Sequence, residues 1–232
     1  MKTEELRIDL EDARTPTVGA RYQTPDGSPR DSAILLAHGA GANMDSPFMT
    51  HIAEGLVDAG FPVLRFDYPY MQRARDQAKR LPPDRRPVLE LAHRAALARL
   101  AELEPDRRIL LCGKSLGARI SSYLAAEDTD MGLTKGLIFL GYPLHPAGKP
   151  EKLRSEHFPA LAVPALFLQG SRDALCQLPL LEDALETYGG SATLELTAEG
   201  DHDFKVPKRT GRTREEVLDD LVARIRDWVD RP

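Results

Sequence analysis

The chain has 232 residues, with 31 Lys+Arg against 36 Asp+Glu and a formal net charge of −5 at pH 7. With 42% hydrophobic and 29% charged residues, wholesale disorder is excluded, and the mild negative charge argues against a dedicated nucleic-acid binder. The length suits a single α/β domain, expected over residues 1–232, with a core large enough to need no staples.

The opening segment, MKTEELRIDLEDAR, lacks the apolar stretch of a secretory signal. Residues 6–10 and 18–23 are expected to add edge strands. Residues 33–37 (AILLA) form a short buried-strand pattern, followed by the Gly-rich turn His38-Gly39-Ala40-Gly41-Ala42. Ser46-Pro47 predicts a helix start, because proline lacks the N–H that would be orphaned there. Phe48, Met49, Ile52, Leu56 and Val57 share a face of that helix, and Gly60 suits its end. A strand is expected at 61–66, then a long polar stretch over 67–86, then a helix from Pro87. A third strand, 108–112 (RILLC), meets Gly113 abruptly, and 116–126 reads as helix. Strands at 136–140, 164–169 and 192–196 alternate with a helix at 178–188. Thr213-Arg-Glu-Glu216 is a capping box opening the last helix, whose stripe is Val217, Leu218, Leu221, Val222, Ile225, Trp228 and Val229. Repeated strand–helix alternation predicts right-handed βαβ units, hence a mostly parallel central sheet with helices on both faces. Ligands bind such sheets at the carboxyl ends of the strands, so the residues just past each strand carry the functional information. No apolar run approaches the roughly 20 residues of a membrane span.

Gly113-Lys114-Ser115-Leu116-Gly117 matches the G-x-S-x-G nucleophile elbow and sits between a predicted strand and a predicted helix. So sharp a turn strains the serine backbone, and the glycines remove Cβ atoms that would meet the neighbouring strand and helix. The Ser115 hydroxyl is then presented at a helix N-terminus, where partial positive charge favours a developing anion. Two phosphate-binding readings compete. A P-loop would need glycine where Arg108 stands, and a dinucleotide turn at Gly39-Ala40-Gly41, with Asp67 as ribose acceptor, would need its third glycine at Met44. Both are weaker matches, and no cofactor is expected.

A nucleophilic serine needs a base, and the base an orienting carboxylate, in the chain order Ser, acid, His on this sheet type. Asp173 follows strand 164–169 and His202 follows strand 192–196. Asp173 could instead cap the next helix, His202 could be an ordinary loop histidine, and Asp201 or Asp203 could supply the carboxylate. The oxyanion donors are expected at the amide of Leu116 and the amide of Ala40, with Gly39 as second choice. His145, Tyr68 and Asn43 are candidate pocket residues, Asn43 fitting a turn residue better. His51 and His93 read as helix residues and His157 as a loop residue. Cys112 reads as a core thiol, and Cys176 lies three residues past Asp173. With no CxxC pair and no convincing His/carboxylate spacing, neither a disulfide framework nor a metal site is expected, and a reducing cytoplasm is the expected compartment.

The segments LLAHGAGANMDSPFM, RFDYPYM, GKSLGARISS, GYPLHPAGKPEKLR and GDHDFKVPKR resemble the α/β-hydrolase superfamily. The resemblance is nearest to a branch of bacterial predicted hydrolases related to the testis-expressed homologues and to the third subunit of the nuclear NSL acetyltransferase complex, close to dienelactone-hydrolase-like proteins. It runs from about residue 34 to about 228 and implies an α/β-hydrolase fold with Ser115, Asp173 and His202 as triad. The dienelactone relatives carry cysteine where this chain has Ser115, a departure from their particular reaction. The nuclear-complex relatives act as scaffold components, so the fold alone does not imply catalysis. Lids in this superfamily usually follow the sixth strand. Here only residues 141–163 separate two strands, too few for a lid domain, so an open site is expected.

Together these readings point to a serine hydrolase of an ester, thioester or related acyl bond in a small molecule. The alternatives are a non-catalytic interaction module of the same fold and a dinucleotide-binding enzyme. Residues 72–86 carry a net +4 and residues 205–214 a net +5. Both segments follow strands on the expected catalytic edge, and Lys114, Arg119 and Arg172 lie near the triad in sequence. The expectation is a basic rim attracting an anionic acyl substrate, against the plainer reading of solvated loops.

Overall fold

Strands that are apolar at every position, rather than at every second one, belong where both faces of a sheet are covered. In the computed structural model, which describes residues 1–127 and 132–231, five strands built largely on such apolar runs are almost wholly buried. They are β3 (Ser32–Ala37), β4 (Val63–Phe66), β5 (Arg108–Lys114), β6 (Thr134–Leu140) and β7 (Ala165–Gly170). β1 (Lys2–Asp9), β2 (Thr17–Thr24) and β8 (Ala192–Thr197) are more exposed. The sheet order is β1-β2-β4-β3-β5-β6-β7-β8. β1 and β2 pair antiparallel with their neighbours, and β4 through β8 run parallel.

The helices are α1 (Pro47–Asp58), α2 (Pro69–Asp76), α3 (Arg86–Leu103), α4 (Leu116–Ala126), α5 (Leu178–Leu185) and α6 (Arg214–Val229). The two-residue period of a strand divides its side chains between two cores. Ile34 and Leu36 join Ile52 and Leu56 of α1 and Leu221 and Ile225 of α6, whereas Ala33, Leu35 and Ala37 join Ala96 and Leu100 of α3 and Ile120 of α4. The expected capping box is present at Thr213 and Glu216.

One element departs from the expectation. The polar stretch 67–86 contains α2, whose buried residues are Pro69, Tyr70 and Gln72. Pro69 starts it, and Gln72 takes an inward place by accepting the Gly19 N–H at 2.8 Å. A helix held by a buried polar contact has no apolar stripe to announce it.

The chain passes from β3 outward to β4 and then returns to the other side of β3 for β5. The crossover helices on either side of this reversal lie on opposite faces, which opens a crevice at the carboxyl ends of β3 and β5. The segment between β6 and β7 carries only the 3₁₀ turn Phe158–Ala160 among the described residues, so no lid domain covers this edge. Among the described residues, no helix is long and apolar enough to cross a membrane.

Candidate active site

Ser115 sits between β5 and α4 with φ 52° and ψ −106°, a backbone conformation that costs on the order of 1–3 kcal/mol for a residue other than glycine. Close packing of the elbow enforces it. A Cβ on Gly117 would lie 2.4 Å from the Ala37 carbonyl oxygen of β3, and one on Gly113 would lie 2.2 Å from the Ala118 nitrogen. Both glycines are therefore required by contact.

Strand order then brings three loops together. Ser115 follows β5, Asp173 follows β7 and His202 follows β8. His202 Nε2 lies 2.8 Å from Ser115 Oγ, and His202 Nδ1 lies 2.7 Å from Asp173 Oδ2. The carboxylate can only accept from Nδ1–H, which leaves the Nε2 lone pair facing the serine hydroxyl. Asp173 is 5% exposed, and it accepts two further bonds, from Gln169 Nε2 at 2.5 Å and from the Leu175 N–H at 2.7 Å. Neither nearby acid takes its place. Asp201 Oδ1 accepts the Asp203 and Lys205 N–H groups, and Asp203 faces Lys114 and Lys205.

The turn after β3 is braced from beneath. The Tyr68 N–H donates to His38 Nε2 at 3.0 Å, so the ring proton is on Nδ1, which donates to the Gly39 carbonyl at 2.8 Å. Burial lowers the His38 pKa to about 4, keeping this tautomer neutral at pH 7. The Tyr70 hydroxyl reaches the Gly39 and Ala40 carbonyls at 3.4 and 3.1 Å. The Gly39 carbonyl is held toward this cluster, and Ala40 lines the space beside Ser115. Leu116 is the first residue of α4, so its N–H has no acceptor within the helix. Gly39, the second choice for a donor, also lines the cleft.

That cleft has a volume of about 790 Å³ and runs from Ser115 and His202 between the starts of α1 and α6. Phe48, Met49, Leu175 and Leu218 give it apolar walls, and Lys114, Lys205 and Arg214 give it cations, opposed by Asp203 and Glu215. A second cavity, of about 720 Å³, lies against the same turn and is lined by Ala40, Asn43, Arg75, Lys79 and Arg80.

None of the three candidate pocket residues lines the Ser115 cleft. His145 is buried, with Nδ1 against the Pro146 carbonyl and Nε2 accepting the Gln177 N–H, so it braces the loop behind Asp173. Tyr68 is wholly buried, its hydroxyl 3.0 Å from His93 Nδ1. Asn43 accepts the Asp45 N–H as a turn residue and borders the second cavity, outside the Ser115 cleft. Asp67, the ribose acceptor of the dinucleotide reading, is occupied by the Met44 N–H and by Arg75. Arg119 and Arg172 do not line the cleft. Cys176 is buried beside Asp173, and burial followed by that carboxylate pushes its thiol up to about 12, so it is no nucleophile.

Much of the expected basic rim is spent on partners within the chain. Arg73 pairs with Asp84, Arg75 with Asp45 and Asp67, Arg86 with Glu90 and Glu127, Arg209 with Glu199, and Arg212 with Asp220. His38, Tyr70 and Gln169 did not stand out as site residues. The available signal was polar residues at the ends of apolar strand runs: His38 directly after AILLA and Gln169 closing ALFLQ.

Residues 30–230 match the family model described as an alpha/beta hydrolase domain, and the chain belongs to that family. Its fold is similar to an alpha-beta serine hydrolase homologue from Coxiella burnetii, with 19% identity, 97% of this chain and 98% of that one covered, and a TM-score of 0.75. It is similar to dienelactone hydrolase from Anabaena variabilis, with 20% identity, 98% and 96% covered, and a TM-score of 0.74. A lidless serine hydrolase from Xanthomonas campestris aligns with 20% identity, 100% and 97% covered, and a TM-score of 0.72.

Proposed function

We propose that this protein is a serine hydrolase that cleaves an ester, thioester or related acyl bond through an acyl-enzyme. The observation that carries the reading is the continuous relay from a strained, cleft-facing Ser115 through His202 to buried Asp173. Ser115 Oγ attacks the carbonyl carbon while His202 Nε2 takes its proton. The amides of Leu116 and Ala40 stabilise the oxyanion, and protonated His202 returns its proton to the leaving group. Water, deprotonated by His202, then attacks the acyl-enzyme and releases Ser115. Asp173 holds the imidazole in the required tautomer and stabilises its cation.

The substrate is a small acyl compound with an apolar segment for Phe48, Met49, Leu175 and Leu218 and an anionic group near Lys205 and Arg214. The motifs GKSLGARISS and GDHDFKVPKR support the branch of bacterial predicted hydrolases named above, and two free buried cysteines fit the reducing cytoplasm.

A fluorophosphonate probe tests the reading, because it forms an adduct only with an activated serine. Intact-mass analysis is expected to show one adduct on the wild type and none on Ser115→Ala with the fold unchanged. A correctly folded wild-type protein that takes up no probe would favour the non-catalytic module instead.

A further inference from the structure

Lys114 stands between Gly113 and Ser115 in the elbow, yet its side chain does not join the exposed cations of the rim. The side chain is 8% exposed, its Nζ donates to the backbone carbonyl of His202 at 2.8 Å, and Asp203 Oδ1 lies 3.6 Å away. It passes along Gly141, where a Cβ would sit 3.5 Å from Nζ and 3.2 Å from the His202 oxygen. The Phe48 ring faces the ammonium at 5.9 Å. In the sheet, β6 and β7 stand between β5 and β8, so no strand ladder ties the Ser115 turn directly to the His202 loop. Lys114 makes that tie. Burying an ammonium is costly, and a methionine would fill the same space without that cost.

We propose that Lys114 is a positioning residue whose ammonium clamps the His202 loop to the nucleophile strand and so sets the Ser115–His202 contact. The inference rests on the serine-hydrolase reading for its effect on rate, while the clamp itself is a property of the loop.

The groups facing Lys114 come from three elements. Asp201, His202 and Asp203 lie on the loop after β8, Asp173 lies on the loop after β7, and Arg214 of α6 sits over the same Phe48 ring at 5.5 Å. Burial is the largest influence and lowers the Lys114 pKa to about 8, opposed by Asp203, Asp173 and Asp201. The charge of the clamp is therefore lost as pH rises through about 8. Folding stability moves the other way: the unfolded lysine still binds its proton between about 8 and 10.5, so stability rises across that window. A loss of activity there is not explained by unfolding at this site.

The test is the second-order rate of fluorophosphonate labelling of Ser115 as a function of pH, for wild type, Lys114→Met and Asp203→Asn. It is paired with hydrogen exchange over residues 201–205. Wild-type labelling is expected to fall above about pH 8. Lys114→Met should label about 10- to 100-fold more slowly at neutral pH, the size of a small misplacement of a catalytic group, and should lack that alkaline fall. Asp203→Asn removes a carboxylate that raises the lysine pKa, so its fall should begin at lower pH. Exchange over 201–205 should be faster in both variants. A folded Lys114→Met that labels at the wild-type rate, or keeps the alkaline fall, overturns the proposal. If Lys114→Met does not fold, an unmoved alkaline fall in Asp203→Asn overturns it equally. Wild-type protein that labels at no pH removes the hydrolase reading, and exchange then decides the clamp alone: unchanged protection in the folded variants rejects it.

Discussion

The bond between Asp173 and His202 Nδ1 fixes which nitrogen of the imidazole faces Ser115. Asp173→Asn would present an amide N–H where Nδ1–H now donates, and the ring would turn its proton toward the serine. The expected result is a fall in kcat of about 10⁴-fold with the fold intact, measured on any ester the wild type turns over. Asp201→Asn keeps the side-chain oxygen that accepts the Asp203 and Lys205 N–H groups and should cost far less. If Asp173→Asn kept near wild-type turnover while Asp201→Asn lost it, Asp201 would be the acid. The assignment rests on contacts that primary structure did not contain. Chain order favours Asp173 and leaves Asp201 and Asp203 as alternatives, and the position of the β7 loop brings Asp173 to the ring.

At the scale of elements, α4 and β3 meet without intervening side chain at Gly117, where a Cβ would enter the Ala37 carbonyl. Gly117→Ala must push α4 off the sheet or unseat the end of β3, which leads into His38 and the Gly39–Ala40 turn. Overpacking of this kind typically costs about 1–3 kcal/mol, and Gly117→Ala should show that loss in urea unfolding together with reduced probe labelling. A variant as stable and as reactive as wild type would mean the elbow has slack. The strands were legible because continuous burial writes a continuous apolar run, and α6 because its capping box and stripe agree. α2 was not legible, since Gln72 is buried for its bond to Gly19 and a buried glutamine looks like surface in a sequence.

For the whole molecule, two buried histidines, His38 and His93, and the half-buried His157 link stability to pH. Burial, the first cause in each case, lowers the pKa of His38 to about 4, His93 to about 3 and His157 to about 4, from 6.5 when unfolded. The unfolded chain therefore binds protons that the folded chain refuses. Stability is full above pH 6.5 and is lost as pH falls through the window toward about 4. Between pH 7 and 5.5 each histidine should cost about 1 kcal/mol, in a range where few carboxylates titrate. Urea unfolding across that interval is expected to show the slope, and a flat profile would mean that these rings are protonated in the folded state.

The same scale governs substrate charge. Exposed Lys205 and half-buried Arg214 at the cleft act through a field screened over about 8 Å at physiological salt. An ester with a distal carboxylate should exceed its neutral counterpart in kcat/KM at low ionic strength, with the advantage fading as salt rises. Equal or better turnover of the neutral ester at low salt would return these cations to ordinary surface.

The sequence by itself determined the alternation of buried strands and covering helices, the elbow around Ser115, and Asp173 and His202 as candidates for its partners. Those features are local: apolar runs, a strand–turn–helix pattern, and polar residues just past strands. The tertiary structure decided what is non-local. The reversal between β3 and β5 opens the crevice, the order β5-β6-β7-β8 aligns three loops, and internal carboxylates pair with Arg73, Arg75, Arg86, Arg209 and Arg212 of the basic segments. It also turned His145 and Tyr68 inward and Lys114 toward the His202 carbonyl. A side chain's direction depends on what packs against it, and those neighbours lie up to 88 residues away along the chain.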